Sequence, residues 1–253
     1  EPCINAAGVS PLSPVLRTCR SVAEGESVES VVATLHSAYG VDAFFSLYSS
    51  PDKKNADWTI ATLSQGGLGL PDRDYYTDVD KRDKLDKYKS FLQSMFSLLG
   101  KYDVPEYDTA SACEHAAADV LRVESVLAAA HMTRTERRDP EKTYNKMSLE
   151  SLAATCQRDT LDWQQYLSRG VESVSFNWIL YFESIGKAPA ALGDVNLSAA
   201  QAMRAAVAVM CSQQHRVASS AASRAIPLVN YLIFHSVLSF SAHLPAAFGD
   251  LCF

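Results

Sequence analysis

The most informative stretch of the chain reads Gln65-Gly66-Gly67-Leu68-Gly69-Leu70-Pro71-Asp72-Arg73-Asp74-Tyr75-Tyr76. Its glycines permit backbone conformations that residues with a side chain avoid, and its proline fixes a turn. The Asp-Arg-Asp triplet can bond to backbone groups around that turn. The two tyrosines can bury their rings while keeping a polar end for a partner. We therefore predict an extended, glycine-hinged connection over 64–78, with residues that serve the backbone geometry.

On both sides of this connection the sequence has helical periodicity. In residues 26–39, for example, Val28, Val31, Val32 and Leu35 recur at steps of three and four and form one apolar stripe. Gly100 is a predicted helix stop, and Ser148 a predicted N-cap. A strand or extended segment is predicted only at 42–49, so the fold class is mainly α with at most one or two short strands. The predicted helices are 26–39, 80–100, 109–132, 148–156, 160–168, 197–218 and 222–242.

Composition narrows the class of protein. The chain has 253 residues, of which 47% are hydrophobic and 21% charged, so it can bury a sizeable core without disulfides or a metal. The net charge of −6 argues against a nucleic-acid partner. No low-complexity linker divides residues 1–253, which therefore read as one helical body.

One uncharged stretch, 226–249, is long enough to cross a membrane. It also contains two prolines, two histidines, Asn230 and several serines. We therefore favour a buried helix over a membrane span. His235 lies in its apolar part, and we predict that it is a hydrogen-bonded core residue and not a metal ligand.

Sequence motifs for catalysis and for metal binding are absent. The chain has no H-E-x-x-H, no two histidines three or four residues apart, no G-x-S-x-G and no P-loop. Gly67-Leu68-Gly69 begins a dinucleotide-binding pattern, but Asp72 stands where its third glycine belongs. The six cysteines are scattered, which leaves both disulfides and buried thiols open. We predict no catalytic, cofactor-binding or metal-binding residue in this chain.

Residues 65–76 resemble the signature of the N-terminal domain of the neprilysin family of zinc metallopeptidases, which includes the endothelin-converting enzymes. The segment Arg134–Asn145 and the Lys146-Met147-Ser148-Leu149 that follows it resemble a second family segment. Weaker similarities occur in the family's order from end to end of the chain. They are Cys3-Ile4-Asn5, Asp52-Lys53-Lys54-Asn55, Trp163 with Tyr166, Leu228 with Tyr231 and Leu232, and Leu244 to Phe248.

The resemblance implies a helical, lid-type domain over 1–253 that partly covers a buried active-site chamber. In the family, the zinc ligands and the catalytic glutamate belong to a C-terminal domain that this chain does not contain. The resemblance further implies peptide substrates, that missing domain as partner, and a disulfide between Cys3 and a cysteine beyond Phe253. It suggests an outward-facing type II plasma-membrane protein or a secreted one, and leaves the localisation of this chain unknown.

The resemblance also marks a set of signature residues, to which we assign structural roles. Asp72, Arg73 and Asp74 are expected to lock the turn, and Arg137 and Arg138 to pair with acids across the helical body. The full set is Gln65, Gly66, Gly67, Gly69, Pro71, Asp72, Arg73, Asp74, Tyr75, Tyr76, Arg137 and Arg138.

Two alternatives stay open at this point. The chain could be a stand-alone helical module that binds peptides or proteins and has lost the catalytic domain. It could also be an unrelated membrane or scaffold protein anchored through 226–249.

Overall fold

The computed structural model describes residues 7–156, 176–186, 193–217 and 226–251. The helices of this part are α1 Ser13–Ser21, α2 Val28–Tyr39, α3 Asp74–Thr77, α4 Arg82–Lys101, α5 Ala110–Ala130, α6 Arg134–Arg137, α7 Leu149–Cys156, α8 Trp178–Ser184, α9 Ala200–Val217, α10 Ile226–Phe240 and α11 Ala246–Gly249. The strands are β1 Phe45–Asp52, β2 Asn55–Gln65, β3 Lys146–Met147 and β4 Val195–Leu197. Short 3-10 turns occur at Ser10–Leu12, Val79–Lys81, Pro105–Tyr107 and Ser241–His243. The mainly helical class is confirmed.

Helix α5 is the centre of the core. It begins at the N-cap Thr109, whose hydroxyl accepts a hydrogen bond from the Ala112 amide at 3.2 Å. It packs against α4, α9 and α10. Small residues such as Ala117, which is fully buried, let the neighbouring helices approach closely.

The sheet has four strands in the order β1-β2-β4-β3, more than the one or two expected from the sequence. Strands β1 and β2 form an antiparallel hairpin in which Tyr48 lies opposite Thr62. Strand β4 runs parallel to β2, and β3 runs antiparallel to β4. Side chains alternate between the two faces of a strand. Leu63, Val195 and Leu197 are fully buried and join the sheet to the helical core.

The predicted helices 26–39, 80–100, 109–132, 148–156 and 197–218 correspond to α2, α4, α5, α7 and α9. Ser148 caps α7 as predicted, because its hydroxyl accepts a hydrogen bond from the Ser151 amide at 3.3 Å. The predicted helix 160–168 lies outside the described residues. The elements that were not predicted are α1, α3, α6, α8, α11, β2, β3 and β4. Helix α3 lies within the connection 64–78 that was predicted to be extended.

Gly100 does not stop α4, which runs on to Lys101. A β-carbon at Gly100 would overlap the carbonyl of Tyr107. The glycine therefore allows the following turn to pack closely against the helix, and the helix ends where the left-handed Asp103 reverses the chain.

The uncharged stretch 226–249 forms the buried helix α10, as predicted, and the short α11, which was not predicted. Residues 222–225 of the predicted helix lie outside the described part. Leu228, Tyr231, Leu232 and Phe234 are fully buried between α1 and α5. No helix in the described ranges combines the length and the apolar character that a membrane crossing requires.

Candidate functional site

The glycine-rich signature leaves β2 and crosses the body between α5 and α10. Its first residue, Gln65, pairs with the backbone just after α5. The Met132 amide donates to Gln65 Oε1 at 2.8 Å, and Gln65 Nε2 donates to the Met132 carbonyl at 3.3 Å. The side-chain amide thus replaces a backbone partner and fixes the end of the strand.

Gly67 lies against α10 in the left-handed conformation, with φ +77°. Tyr231 Oη donates to the Gly67 carbonyl at 2.9 Å and accepts from the Phe44 amide at 3.0 Å. A β-carbon on Gly67 would lie 2.6 Å from the Phe44 nitrogen and overlap the tyrosine hydroxyl. Both the backbone angle and the space therefore require glycine at position 67.

Gly69 brings its amide onto a buried carboxylate. The Gly69 amide donates to Glu124 Oε1 at 2.9 Å, and Glu124, on α5, is fully buried. A β-carbon on Gly69 would overlap Tyr88 Oη. The absence of a side chain is what allows the backbone to reach the acid.

Glu124 accepts hydrogen bonds from three further side chains. Tyr76 Oη lies 3.0 Å and Tyr88 Oη 2.9 Å from its Oε2, and His235 Nε2 lies 3.0 Å from its Oε1. A buried carboxylate is costly unless it is hydrogen-bonded and paired, and these contacts supply the compensation. Burial, reinforced by the charge of Glu124, raises the pKa of both tyrosines, which keeps them protonated as donors.

This arrangement, which we call the Glu124 cluster, consists of Glu124 with Gly69, Tyr76, Tyr88 and His235. It ties the signature to α4, α5 and α10 at one point. The prediction that His235 is a hydrogen-bonded core residue is confirmed. Carboxylate and imidazole here are almost fully covered, with exposed side-chain fractions of 0% and 8%. Both groups are therefore enclosed by the protein.

The turn Asp72-Arg73-Asp74 closes on the end of α5 and the start of α6. Asp72 Oδ1 accepts from the Asp74 amide at 3.0 Å, and Asp72 also forms an ion pair with Arg134. Arg73 Nη1 donates to the His131 carbonyl at 2.7 Å. These contacts hold the turn after Pro71 against the segment between α5 and α6.

The two tyrosines after this turn, Tyr75 and Tyr76, make different contacts. Tyr76 points inward to Glu124 and also accepts a hydrogen bond from the Leu70 amide at 3.1 Å. Tyr75 packs partly against the core, with the ammonium groups of Lys81 and Lys84 over its ring at 4.8 and 5.5 Å.

The remaining signature residues, Arg137 and Arg138, require a correction. We expected both to pair with acids, but both are exposed, and within the described residues neither is in an ion pair. The acid nearest in sequence, Glu136, is already engaged in a capping box with Thr133 at the start of α6. Arg137 lies close enough to His131 to add to the effect of burial, and together they lower the pKa of His131 to about 4.

A second polar cluster joins the hairpin to the segment after α6. Asp52, 2% exposed, accepts from the Lys54 amide at 2.9 Å, Tyr144 Oη at 2.8 Å and Lys146 Nζ at 3.0 Å. These bonds lower the pKa of Asp52 to about 2. The segment 134–149 is thus joined to the hairpin through Asp52 and to the signature through the Asp72–Arg134 ion pair.

Sequence reasoning missed Glu124, Tyr88 and Asn196 as organising residues. Glu124 lies between apolar residues in the second half of α5, and a lone acid on an apolar helix face was the available signal. Asn196 accepts from the Asn145 amide at 2.8 Å and donates to the Thr143 carbonyl at 3.2 Å, which depends on a strand pairing that local sequence does not reveal.

The described residues do not fit a metal ion. Within them, no group of three His, Cys, Asp or Glu side chains is placed to hold one. Cys19, Cys113 and Cys156 are buried free thiols, and burial raises the pKa of Cys19 and Cys156 to about 12, which disfavours the thiolate that metals bind. Cys3 and Cys252 lie outside the described residues.

Comparison with known proteins identifies the family. The N-terminal family model of peptidase family M13 matches residues 1–253. Human endothelin-converting enzyme 1 is 31% identical over 147 residues, which is 58% of this chain and 18% of that protein. Human endothelin-converting enzyme-like 1 is 29% identical over 216 residues, 84% of this chain and 23% of the relative. The chain belongs to peptidase family M13, the family of neprilysin and the endothelin-converting enzymes.

Solved structures support the same fold. The zinc metalloprotease Zmp1 of Mycobacterium tuberculosis, in complex with an inhibitor, matches 99% of this chain with a TM-score of 0.78 at 21% identity. The open state of Zmp1 matches equally well, with a TM-score of 0.78 at 22% identity. The chain spans 33% of the inhibitor-bound Zmp1 chain and 18% of endothelin-converting enzyme 1. It therefore corresponds to the N-terminal portion of family proteins that are much longer.

Proposed function

We propose that residues 1–253 act as the non-catalytic N-terminal domain of a neprilysin-like zinc metalloendopeptidase. The domain would wall the chamber in which peptides are cleaved and so restrict access to the active site. The observation that carries this proposal is the family match over 1–253, with a helical body in which Gly67, Gly69 and Arg73 of the signature make structural contacts.

The chemistry would then reside in a C-terminal catalytic domain, the partner of this chain. That domain would supply zinc, which activates a water molecule for attack on a peptide carbonyl. The residues described above offer no site for that metal. Their contribution is to hold a rigid wall, through the Glu124 cluster and the Asp72 turn.

The native protein tests the proposal. Antibodies raised against this chain would be used to isolate the native protein from its source cells, and its mass and peptidase activity would be measured. We expect a mass well above 27.6 kDa and peptide hydrolysis that a zinc chelator abolishes and added zinc restores. A native protein of 27.6 kDa that binds peptides without cleaving them would favour the stand-alone binding module instead.

A further inference from the structure

A cleft of about 250 Å³ lies on the face of the sheet opposite the core-facing side chains. Its floor consists of residues that the strand register places in line: Tyr48 opposite Thr62, and Thr62 beside Asn196. The segment after α5 forms its wall, with Met132, Arg137, Thr143 and Tyr144. We call this the sheet cleft. It lies apart from the Glu124 cluster.

The charge of the sheet cleft is opposite to that of the chain. Its described lining contains two cations, Lys53 and Arg137, and no acid, whereas the whole chain carries a net charge of −6. Lys53 Nζ donates to Thr143 Oγ1 at 2.8 Å, which leaves two of the three ammonium protons for another acceptor. Arg137 is exposed and, within the described residues, is in no ion pair.

Nearby acids are engaged elsewhere. Asp52 binds Lys146, Tyr144 and the Lys54 amide; Glu136 closes the capping box with Thr133. Asp139 accepts from the Glu141 amide at 3.0 Å at the following turn. Among the residues that the structure describes, Lys53 and Arg137 are in no ion pair, so a carboxylate of a ligand could bind to both.

The surface beside the cleft fits an extended peptide. Tyr48 is 49% exposed, and Trp58, two residues before the cleft residue Ile60 in β2, is 66% exposed. Exposed aromatic residues next to polar pockets are typical of peptide contacts. The cleft is smaller than a drug-sized pocket, so it would admit one acidic side chain of a longer ligand.

We propose that the sheet cleft binds a carboxylate side chain of an extended acidic peptide, with Lys53 and Arg137 as the recognising cations and Tyr48 and Trp58 as flanking contacts. This inference rests on the proposed function, because the ligand is taken to be a peptide that enters the chamber. It adds a preference for acidic residues, set by this chain.

Fluorescence anisotropy on the 253-residue chain tests the proposal. The probe is a labelled acetyl-Ala-Glu-Phe-Glu-Ala-Ala-amide, and the matched peptide has both Glu replaced by Gln. We expect the acidic peptide to bind at least about five-fold more tightly than its Gln counterpart, since a charge-assisted hydrogen bond is lost in the latter. Equal affinity for the two peptides, or displacement of the probe by equimolar inorganic phosphate, would overturn the proposal.

The chain offers a matched pair of variants. Arg137→Gln removes a cation of the cleft, whereas Arg138→Gln removes the adjacent exposed arginine, which does not line it. We expect Arg137→Gln to abolish the preference for Glu over Gln and Arg138→Gln to change peptide affinity less than two-fold. Equal effects of the two variants would contradict the assignment. Circular dichroism melting of each variant separates misfolding from loss of binding.

The peptide-binding experiment and the experiment on the native protein test the two proposals independently. Absence of an acidic preference, with chelator-sensitive hydrolysis intact in the native protein, overturns the cleft alone. A native protein without hydrolysis overturns the proposed function, while peptide binding by the chain remains measurable.

Discussion

At the scale of single residues, the decisive feature of the signature is the lack of a side chain at Gly67 and Gly69. The absence of a side chain at Gly67 leaves room for the Tyr231 hydroxyl, which bonds to the Gly67 carbonyl and the Phe44 amide. The absence of a side chain at Gly69 lets its amide approach the carboxylate of Glu124. The sequence predicts that these glycines serve backbone geometry. It does not reveal their partners, because Tyr231 and Glu124 come from helices more than 50 residues away along the chain.

Gly67→Ala should lower the free energy of unfolding by about 3 kcal/mol, since it adds left-handed strain to an overlap with Phe44 and Tyr231. Urea denaturation measures the change. The control is Gly249→Ala, where the added methyl group meets nothing within 4 Å, and we expect a change below about 0.5 kcal/mol. Similar losses in both variants would contradict the packing described for Gly67.

His131 should make the domain sensitive to acid. Burial holds the pKa of the folded imidazole at about 4, below the 6.5 of the unfolded chain. The unfolded state therefore binds more protons in this window, and stability present above pH 6.5 is lost as the pH falls towards 4, by roughly 3 kcal/mol.

His131→Gln should remove this part of the pH dependence of the unfolding free energy, measured by urea denaturation between pH 7 and pH 4. His115→Gln, at an exposed position on α5, serves as control and should leave the slope unchanged. An unaltered slope in His131→Gln would show that the acid sensitivity comes from other groups.

At the scale of elements, local pattern predicted the long amphipathic helices and missed several short helices and strand β2. Helices α2, α4 and α5 carry clear stripes, so their existence follows from spacing alone. Helix α8 has only seven residues, and its buried Trp178, Tyr181 and Phe182, although spaced i, i+3, i+4, form a run too short for periodicity to distinguish a helix from another buried segment. Strand β2 begins with exposed polar residues and pairs in parallel with the distant β4, and local sequence does not encode that pairing.

Glu124→Gln should uncouple the elements that meet at the Glu124 cluster. The carboxylate of Glu124 accepts hydrogen bonds from Gly69, Tyr76, Tyr88 and His235. A glutamine would place its NH2 group, a donor, against some of these donors, which would then lose their acceptor. We expect a loss of about 3 kcal/mol in unfolding free energy. Glu114→Gln, an exposed acid on the same helix, should be nearly neutral. A neutral Glu124→Gln would mean that the buried charge does not organise the signature.

Arg73→Ala should weaken the junction between the signature and the end of α5, because it removes the 2.7 Å bond to the His131 carbonyl. A loss of about 1.5 kcal/mol in unfolding free energy is expected, with peptide affinity unchanged. Arg82→Ala, an exposed arginine at the start of α4, is the control. An intact fold with selectively lost peptide affinity in Arg73→Ala would assign Arg73 to ligand binding instead.

At the scale of the whole molecule, the signature and the segment 134–149 were the parts of the site that the sequence could predict, since both resemble family motifs. The contact between these two segments depends on the fold, and so does the cleft, which brings Lys53 and Arg137 together from segments about 80 residues apart. Arg137 and Arg138 form no ion pair with any acid in the part of the chain that the structure describes, and alternating charges in a sequence do not reveal that Glu136 is engaged in a capping box.

The central claim is that this chain shapes a peptide chamber and does not cleave peptides itself. Its most direct test is to measure bound zinc and peptide hydrolysis on the purified 253-residue chain, before and after incubation with zinc. The account predicts no stoichiometric zinc and no hydrolysis above that of buffer. One zinc ion held per chain, together with hydrolysis that a chelator abolishes, would contradict it.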